Sequence, residues 1–184
     1  MKNQSVHLRR SVMCALYAAL LAVSAWIQIP AAIPFTLQTA AVCIAAALSG
    51  GAAAMAVTLY LSLGAIGLPV FSNFNSGWAA LIGPTAGYLW GLFLIVLTVS
   101  VGKRCLGNER WTTIGSMAIG VALCYLAGIL WYAVVYTAEP MSLQQIMTVC
   151  VLPFLLPEIG KIALAFAITQ RLRKTNLIKF QTIN

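Results

Sequence analysis

Charge in this chain is confined to the edges of long apolar runs. Ten of its 11 Lys and Arg residues fall in three short segments: Lys2, Arg9 and Arg10; Lys103, Arg104 and Arg110; Arg171, Arg173, Lys174 and Lys179. The eleventh, Lys161, stands inside an apolar stretch, three residues after Glu158. With 61% hydrophobic and 8% charged residues over 184 positions, there is too little polar surface to cover a soluble globule. An all-α integral membrane protein is therefore expected. At about 20 apolar residues per crossing, the chain has room for about six spanning helices in one membrane domain and for no further soluble domain.

The cation clusters also fix the path of the chain. Lys and Arg beside a membrane span stay on the cytoplasmic side. The apolar stretch Thr39 to Ile66 is interrupted by Ser49, Gly50 and Gly51. Read as one helix, it sends the Lys103–Arg110 cluster to the side opposite the basic N-terminus. Read as two, it brings all three clusters to one side. Six spans are thus expected at about 11–29, 38–49, 52–66, 84–102, 113–136 and 157–174, with both termini cytoplasmic. The links 33–38 and 67–83 then face outside, and 142–152 reads as an interfacial or re-entrant piece. The run Val12 to Ile29 is long for a signal peptide and is read as a retained first helix. Pro157 is placed at the start of the last helix, which puts Glu158 in its first turn, where the positive end of the helix dipole favours an acid.

Several function classes are excluded by what is missing. The basic clusters carry no interleaved aromatic residues on which a nucleic acid strand could stack, so the net charge of +8 is a topology signal. No GxxxxGK[ST] loop is present to cradle a nucleotide. Three acidic residues and one His, at position 7, leave little for a metal site or for acid–base catalysis, and no enzyme is expected. The five cysteines are isolated, without CxxC spacing, and read as small packing residues.

Candidate binding residues gather at the outer end. Glu158 and Lys161, three apart, share a helix face. Ionisable groups at membrane depth are expensive and mark ligand or ion sites by default, the alternative being a structural pair that merely neutralises itself. The outer links add Thr36 and Gln38, then Phe71, Asn73, Asn75 and Trp78, a mixture of aromatic and hydrogen-bonding groups that suits an apolar small molecule with a few polar atoms. Its alternative is an interfacial aromatic belt with asparagine turns. In the first helix Ala15, Ala18, Ala19 and Ala22 give small-xxx-small spacing, which permits close helix approach, either within the bundle or onto a partner.

Four segments in order, IPFTLQT (33–39), GLPVF (67–71), GPTAGYLWG (83–91) and PEIGK (157–161), resemble the BioY family of biotin-binding S components of energy-coupling factor transporters. The resemblance spans nearly the whole chain. It implies a six-helix S-component-like bundle in a prokaryotic cell membrane, with biotin as transported substrate and no cofactor. It further implies docking through small residues of the first helix onto a transmembrane coupling subunit that carries two ATPase subunits. Phe71, Trp78 and Tyr88 would pack the biotin bicycle, and Asn75, with Asn73 in reserve, would serve its ureido group. Glu158 would accept a ureido N–H, and Lys161 would meet the carboxylate or hold Glu158. Three departures stand out: Glu158 replaces the family's usual aspartate, Ala86 replaces a glycine of GPTGGY, and the 73–77 loop is less glycine-rich. An S component for another vitamin, or a membrane assembly subunit without a ligand, are the alternatives.

Overall fold

The structure, a computed structural model, describes residues 2–29, 35–136 and 152–174. Among the described residues seven α-helices follow one another: α1 (Lys2–Trp26), α2 (Gln38–Leu48), α3 (Gly50–Ala65), the single-turn α4 (Trp78–Ile82), α5 (Ala86–Cys105), α6 (Arg110–Trp131) and α7 (Leu152–Lys174). A π-helical turn, Tyr132–Tyr136, prolongs α6. Two residues of β1 (Gln28–Ile29) pair antiparallel with two of β2 (Phe35–Thr36), Gln28 opposite Thr36.

Helix α2 is the centre of the bundle. It is rich in alanine, the best helix former, and its small side chains let α1, α3, α5 and α7 pack around it. Ten of its 11 residues are buried, so it faces protein on all sides. The turn into α3 is a single residue: Ser49, at φ −153° and ψ 90°, breaks the ladder, and Gly50 opens α3 at once. A side chain at Gly50 would collide with Ser100 of α5, so this corner is pressed against the neighbouring helix.

Helices α5 and α6 form the most extensive pair. Their backbones nearly touch, because a Cβ on Gly91 would meet the Cα and carbonyl of Cys124 at 3.0 Å. Glycine here replaces side-chain interdigitation with direct backbone packing, the usual device where lipid removes the hydrophobic drive.

Among the described residues, three helical stretches are long and apolar enough to cross a membrane: His7–Trp26, Ala86–Cys105 and Arg110–Val135. Helix α2, at 11 residues, rises only about 16 Å against a hydrocarbon core of about 30 Å. The last helix is 23 residues long but carries Glu158, Lys161 and its terminal cations.

Element boundaries differ from the sequence reading in places with physical causes. Helix α1 starts at Lys2, nine residues before the apolar run, because a helix can carry its polar N-terminal turns into the interface. It ends at Trp26, where the chain enters the β1–β2 pairing. Helix α7 starts at Leu152, not at Pro157, which lies inside it. Only the carbonyl of Pro153, in the first turn, loses its helical donor there, so two prolines are tolerated. The expected interfacial piece 142–152 lies outside the described residues up to 151, as do Glu139 and Pro140.

Candidate functional site

The β1–β2 pairing sets the mouth of the site. It turns the chain between α1 and α2, and the Leu37 N–H donates to the carbonyls of Ser24 and Ile27, both at 3.2 Å, which ties the start of α2 to the end of α1. Phe35 and Thr36 are thereby held at the N-terminal end of α2, and Gln38 and Thr39 occupy its first turn. Helix α7 runs alongside and brings Glu158 and Lys161, exposed by only 7% and 5%, to the same level.

These two side chains form a closely connected network. Lys161 Nζ lies 2.7 Å from Glu158 Oε2. Thr39 donates its hydroxyl to Glu158 Oε1 at 2.6 Å and accepts from Lys161 Nζ at 3.2 Å. From α6, the Tyr125 hydroxyl donates to Glu158 Oε2 at 3.0 Å. Lys161 Nζ also sits 3.7 Å from the centre of the Phe35 ring, where the negative face of the aromatic system attracts a cation. A carboxylate offers about four acceptor positions, and three on Glu158 are taken. The pair is neutral as a whole and well hydrogen-bonded, which is what permits two charges to remain buried.

Above the network opens a cavity of about 580 Å³, counted out to its mouth. That figure includes open solvent at the mouth, so the lining chemistry and not the volume characterises the site. Phe35, Tyr88, Tyr125, Leu89 and Leu92 give it an apolar and aromatic wall; Thr36, Gln38, Thr39, Ser72 and Thr85 add hydrogen-bonding groups; Lys161 brings the charge. Tyr88 and Tyr125 meet edge to face, ring centres 5.6 Å apart. Glu158 does not line the cavity, and Lys161 does.

Of the residues singled out from sequence, Thr36, Gln38, Tyr88 and Lys161 come together in this wall, and Glu158 stands directly behind it. Phe71 is elsewhere. Its ring fills the space left by the missing side chain of Gly64 and stacks edge to face on Tyr60, 5.3 Å away, as part of the core. Trp78 is 69% exposed on α4, and the side chains of Asn73 and Asn75 are also exposed. Asn73, at φ 58°, accepts a hydrogen bond from Gln28, while Phe74 stacks on Trp26 at 5.2 Å, so this loop is tied to the C-terminal end of α1. Its contribution to the cavity is Ser72. On α1, Ala18 and Ala22 are buried in the bundle, whereas Ala15 and Ala19 are exposed.

Thr39, Tyr125 and Phe35 were not singled out. Thr39 had a local signal, since it closes IPFTLQT one residue after Gln38. Tyr125 had none: it reaches Glu158 across 33 positions of sequence, and only the packing of α6 brings it there.

Comparison with known proteins gives one answer. The BioY family model matches residues 1–177. The biotin transporter BioY of Thermotoga maritima is 32% identical over 169 residues, which cover 91% of this chain and 97% of that one. The biotin transporter BioY2 of Lactococcus lactis is 38% identical over 133 residues, 70% of this chain and 71% of that one. The crystal structure of the S-component for biotin from an ECF-type ABC transporter superposes with a TM-score of 0.80 at 24% identity, covering 98% of this chain and 97% of the other, and it shows the same fold. With the family model matched from end to end and a full-length relative above 30% identity, this chain belongs to the BioY family.

Proposed function

We propose that this chain is the biotin-capture subunit of a vitamin uptake transporter of the energy-coupling factor type. The observation that carries the reading is the cavity itself: an aromatic and aliphatic wall around one ammonium, with neutral hydrogen-bonding groups near its mouth. Biotin has a matching profile. Its fused rings are largely apolar, its ureido group offers two donors and one acceptor, and its carboxylate is anionic. Lys161 keeps donor capacity toward the cavity and meets a ligand oxygen; Phe35, Tyr88 and Tyr125 pack the rings; Gln38, Thr36, Thr85 and Ser72 serve the remaining polar atoms. Glu158, with one acceptor position left, receives at most one ligand N–H and otherwise holds Lys161 in place. The Glu158 side chain reaches Thr39 and Tyr125 while keeping Lys161, three residues on, as its ion-pair partner.

The depth of the site supports capture within the membrane. Thr39 and Ala47 are eight residues apart on α2, about 12 Å of rise. Lys103 and Arg173 reach the Ala47 carbonyl. If those cations lie at the cytoplasmic headgroup level, in keeping with the positive-inside pattern, Lys161 lies near mid-bilayer. Both termini and the 103–110 loop are then cytoplasmic and the cavity opens outward. Transport is driven by partners, a transmembrane coupling subunit and two ATPase subunits, which this chain meets through α1. The exposed Ala15 and Ala19 suit that docking; Ala18 and Ala22 support it from inside the bundle. Accordingly Ala15→Trp is expected to block uptake in cells and to leave biotin binding by the isolated protein unchanged.

Calorimetric titration of the purified protein with biotin, riboflavin and thiamine tests the reading. Saturable binding of biotin and of neither other vitamin is expected. No binding of any of the three by folded protein sinks the capture role, and selective binding of another vitamin sinks the substrate.

A further inference from the structure

At the end of the bundle opposite the cavity, the break at Ser49 leaves the Ala47 carbonyl without its helical donor, since α2 stops at Leu48. Two side chains from different helices converge on that one oxygen: Lys103 Nζ of α5 at 3.4 Å and Arg173 Nη2 of α7 at 3.0 Å. Both residues are half-buried. No Asp or Glu carboxylate lies within ion-pair distance of either among the described residues, where Glu158–Lys161 is the one such pair. One cation is enough to satisfy one carbonyl. A second brings like charge beside it, in a partly desolvated setting where repulsion is stronger than in water.

The helix dipoles remove only part of the excess: Lys103 and Arg173 stand in the last turns of α5 and α7, whose negative ends offset roughly half a charge each. The C-terminus of α2 carries roughly half a negative charge and the N-terminus of α3 roughly half a positive one. Only Ser49 separates the two ends, so their contributions nearly cancel. About one positive charge is left at this corner. A Cβ on Gly51 would meet nothing within 4 Å, so the first turn of α3 is open at that position. Beyond α5, Leu106 is 66% and Trp111 82% exposed, flanked by Arg104 and Arg110. A mixture of exposed aromatic, aliphatic and cationic residues at the end of two membrane-length helices belongs at the headgroup level of a bilayer.

We propose that Lys103 and Arg173 bind the phosphate of an anionic phospholipid, seated at the α2–α3 corner between α5 and α7. A phosphate oxygen competes well for these donors, because charge-assisted hydrogen bonds are stronger than those to a neutral carbonyl. The two cations come from different helices and converge at one point, an arrangement that suits a lipid headgroup on the cytoplasmic side. The lipid would bridge α5 and α7, whose cations both reach the end of α2, and it involves none of the cavity residues.

Native mass spectrometry of the detergent-purified protein, titrated with phosphatidylglycerol or with phosphatidylcholine of the same chains, tests this. The unaltered protein is expected to prefer phosphatidylglycerol, and Lys103→Gln with Arg173→Gln is expected to reduce that preference about tenfold or more. Arg104→Gln removes an exposed cation from the same end and keeps the preference, as does Arg173→Lys. Biotin titration of each variant verifies that it is folded, independently of the lipid result. Three outcomes overturn the proposal: an undiminished preference in the double variant, an equal loss in Arg104→Gln, or displacement of the lipid by millimolar inorganic phosphate, which would mean a free anion site.

Discussion

Helix α7 carries charge at both ends under opposite conditions. Near its start, Glu158 and Lys161 are almost fully buried, and each is engaged from two other elements, Glu158 by Thr39 and Tyr125 and Lys161 by Thr39 and Phe35. At its end, Arg173 is half-buried and shares a single neutral carbonyl with a second cation. The first site sums to zero charge and has its acceptors nearly filled; the second keeps a surplus. The contrast follows from depth. Inside hydrocarbon an unbalanced charge costs several kcal/mol, so only a compensated set survives there. At the headgroup level water and lipid phosphates are within reach, and a surplus can be left for them. The balanced site holds its charges against each other; the unbalanced one, on the proposal above, is a place to hold an anion.

The comparison is broken most forcefully by unbalancing the cavity. Lys161→Met leaves Glu158 charged and buried with only hydroxyl partners, and a loss of about 3–5 kcal/mol of stability is expected. Thermal melting in detergent reads this. The combined Glu158→Gln, Lys161→Met change removes both charges at once and is expected to restore most of that stability. If Lys161 meets the ligand, the double variant still binds biotin more weakly by about 1.5–3 kcal/mol for each charge-assisted bond lost. Near-native affinity in a folded double variant, measured by calorimetry, would reduce the pair to a structural one.

Thr39 offers a smaller and cleaner intervention, because Val has nearly its shape and lacks its hydroxyl. Thr39→Val takes one donor from Glu158 and one acceptor from Lys161 together. About 1–3 kcal/mol should be lost, shared between stability and biotin affinity, since a buried group left without its partner loses its solvation uncompensated. A variant that melts and binds like the parent would show that Tyr125 alone suffices to hold the carboxylate.

Two glycines of the α5–α6 pair separate cavity shape from bundle packing. A Cβ on Gly128 would come within 2.5 Å of the Tyr88 ring, the outer part of a side chain that can rotate. Gly128→Ala is therefore expected to displace the cavity wall and weaken biotin binding by about 0.5–1.5 kcal/mol, the scale of an off-rotamer side chain, with little change in melting. Gly91→Ala presses instead on the backbone of Cys124, which cannot swing away. Its effect of about 1–3 kcal/mol should fall on stability. Equal effects of the two on affinity would remove the distinction.

Much of this arrangement was legible in the chain. The isolated pair in PEIGK named the two charges of the buried network, of which Lys161 lines the cavity, because nothing but function or mutual compensation keeps ions in an apolar run. The break at Ser49 was required by the distribution of Lys and Arg, and the helix ladder does stop there. The aromatic residues were harder. Phe71 and Tyr88 look alike in sequence, both in loop-to-helix segments rich in glycine, yet one ring enters the core and the other the cavity. What separates them is a tertiary fact, the vacant side-chain position at Gly64, which receives Phe71. Tyr125 was invisible for the same reason: an aromatic residue in an apolar helix has no signature until the facing helix is known. Likewise the alanines of α1 form one stripe in sequence but divide in the structure, because a helix face wider than its contact leaves Ala15 and Ala19 outside while Ala18 and Ala22 pack inward.

The smallest expected effect lies at the unbalanced end. Arg173→Gln removes one of two cations from a carbonyl that keeps the other, Lys103, and it relieves repulsion between them. The gain and the loss are of similar size, so stability should change by no more than about 0.5 kcal/mol, as at other partly exposed positions without a committed partner. Biotin affinity should stay the same, since Lys161 lies 12 residues up the same helix, about 18 Å away and beyond roughly two screening lengths at physiological salt. A calorimetric titration showing a several-fold change in biotin affinity would mean that the two ends of α7 are coupled through the helix, and that the surplus charge tunes the cavity from a distance.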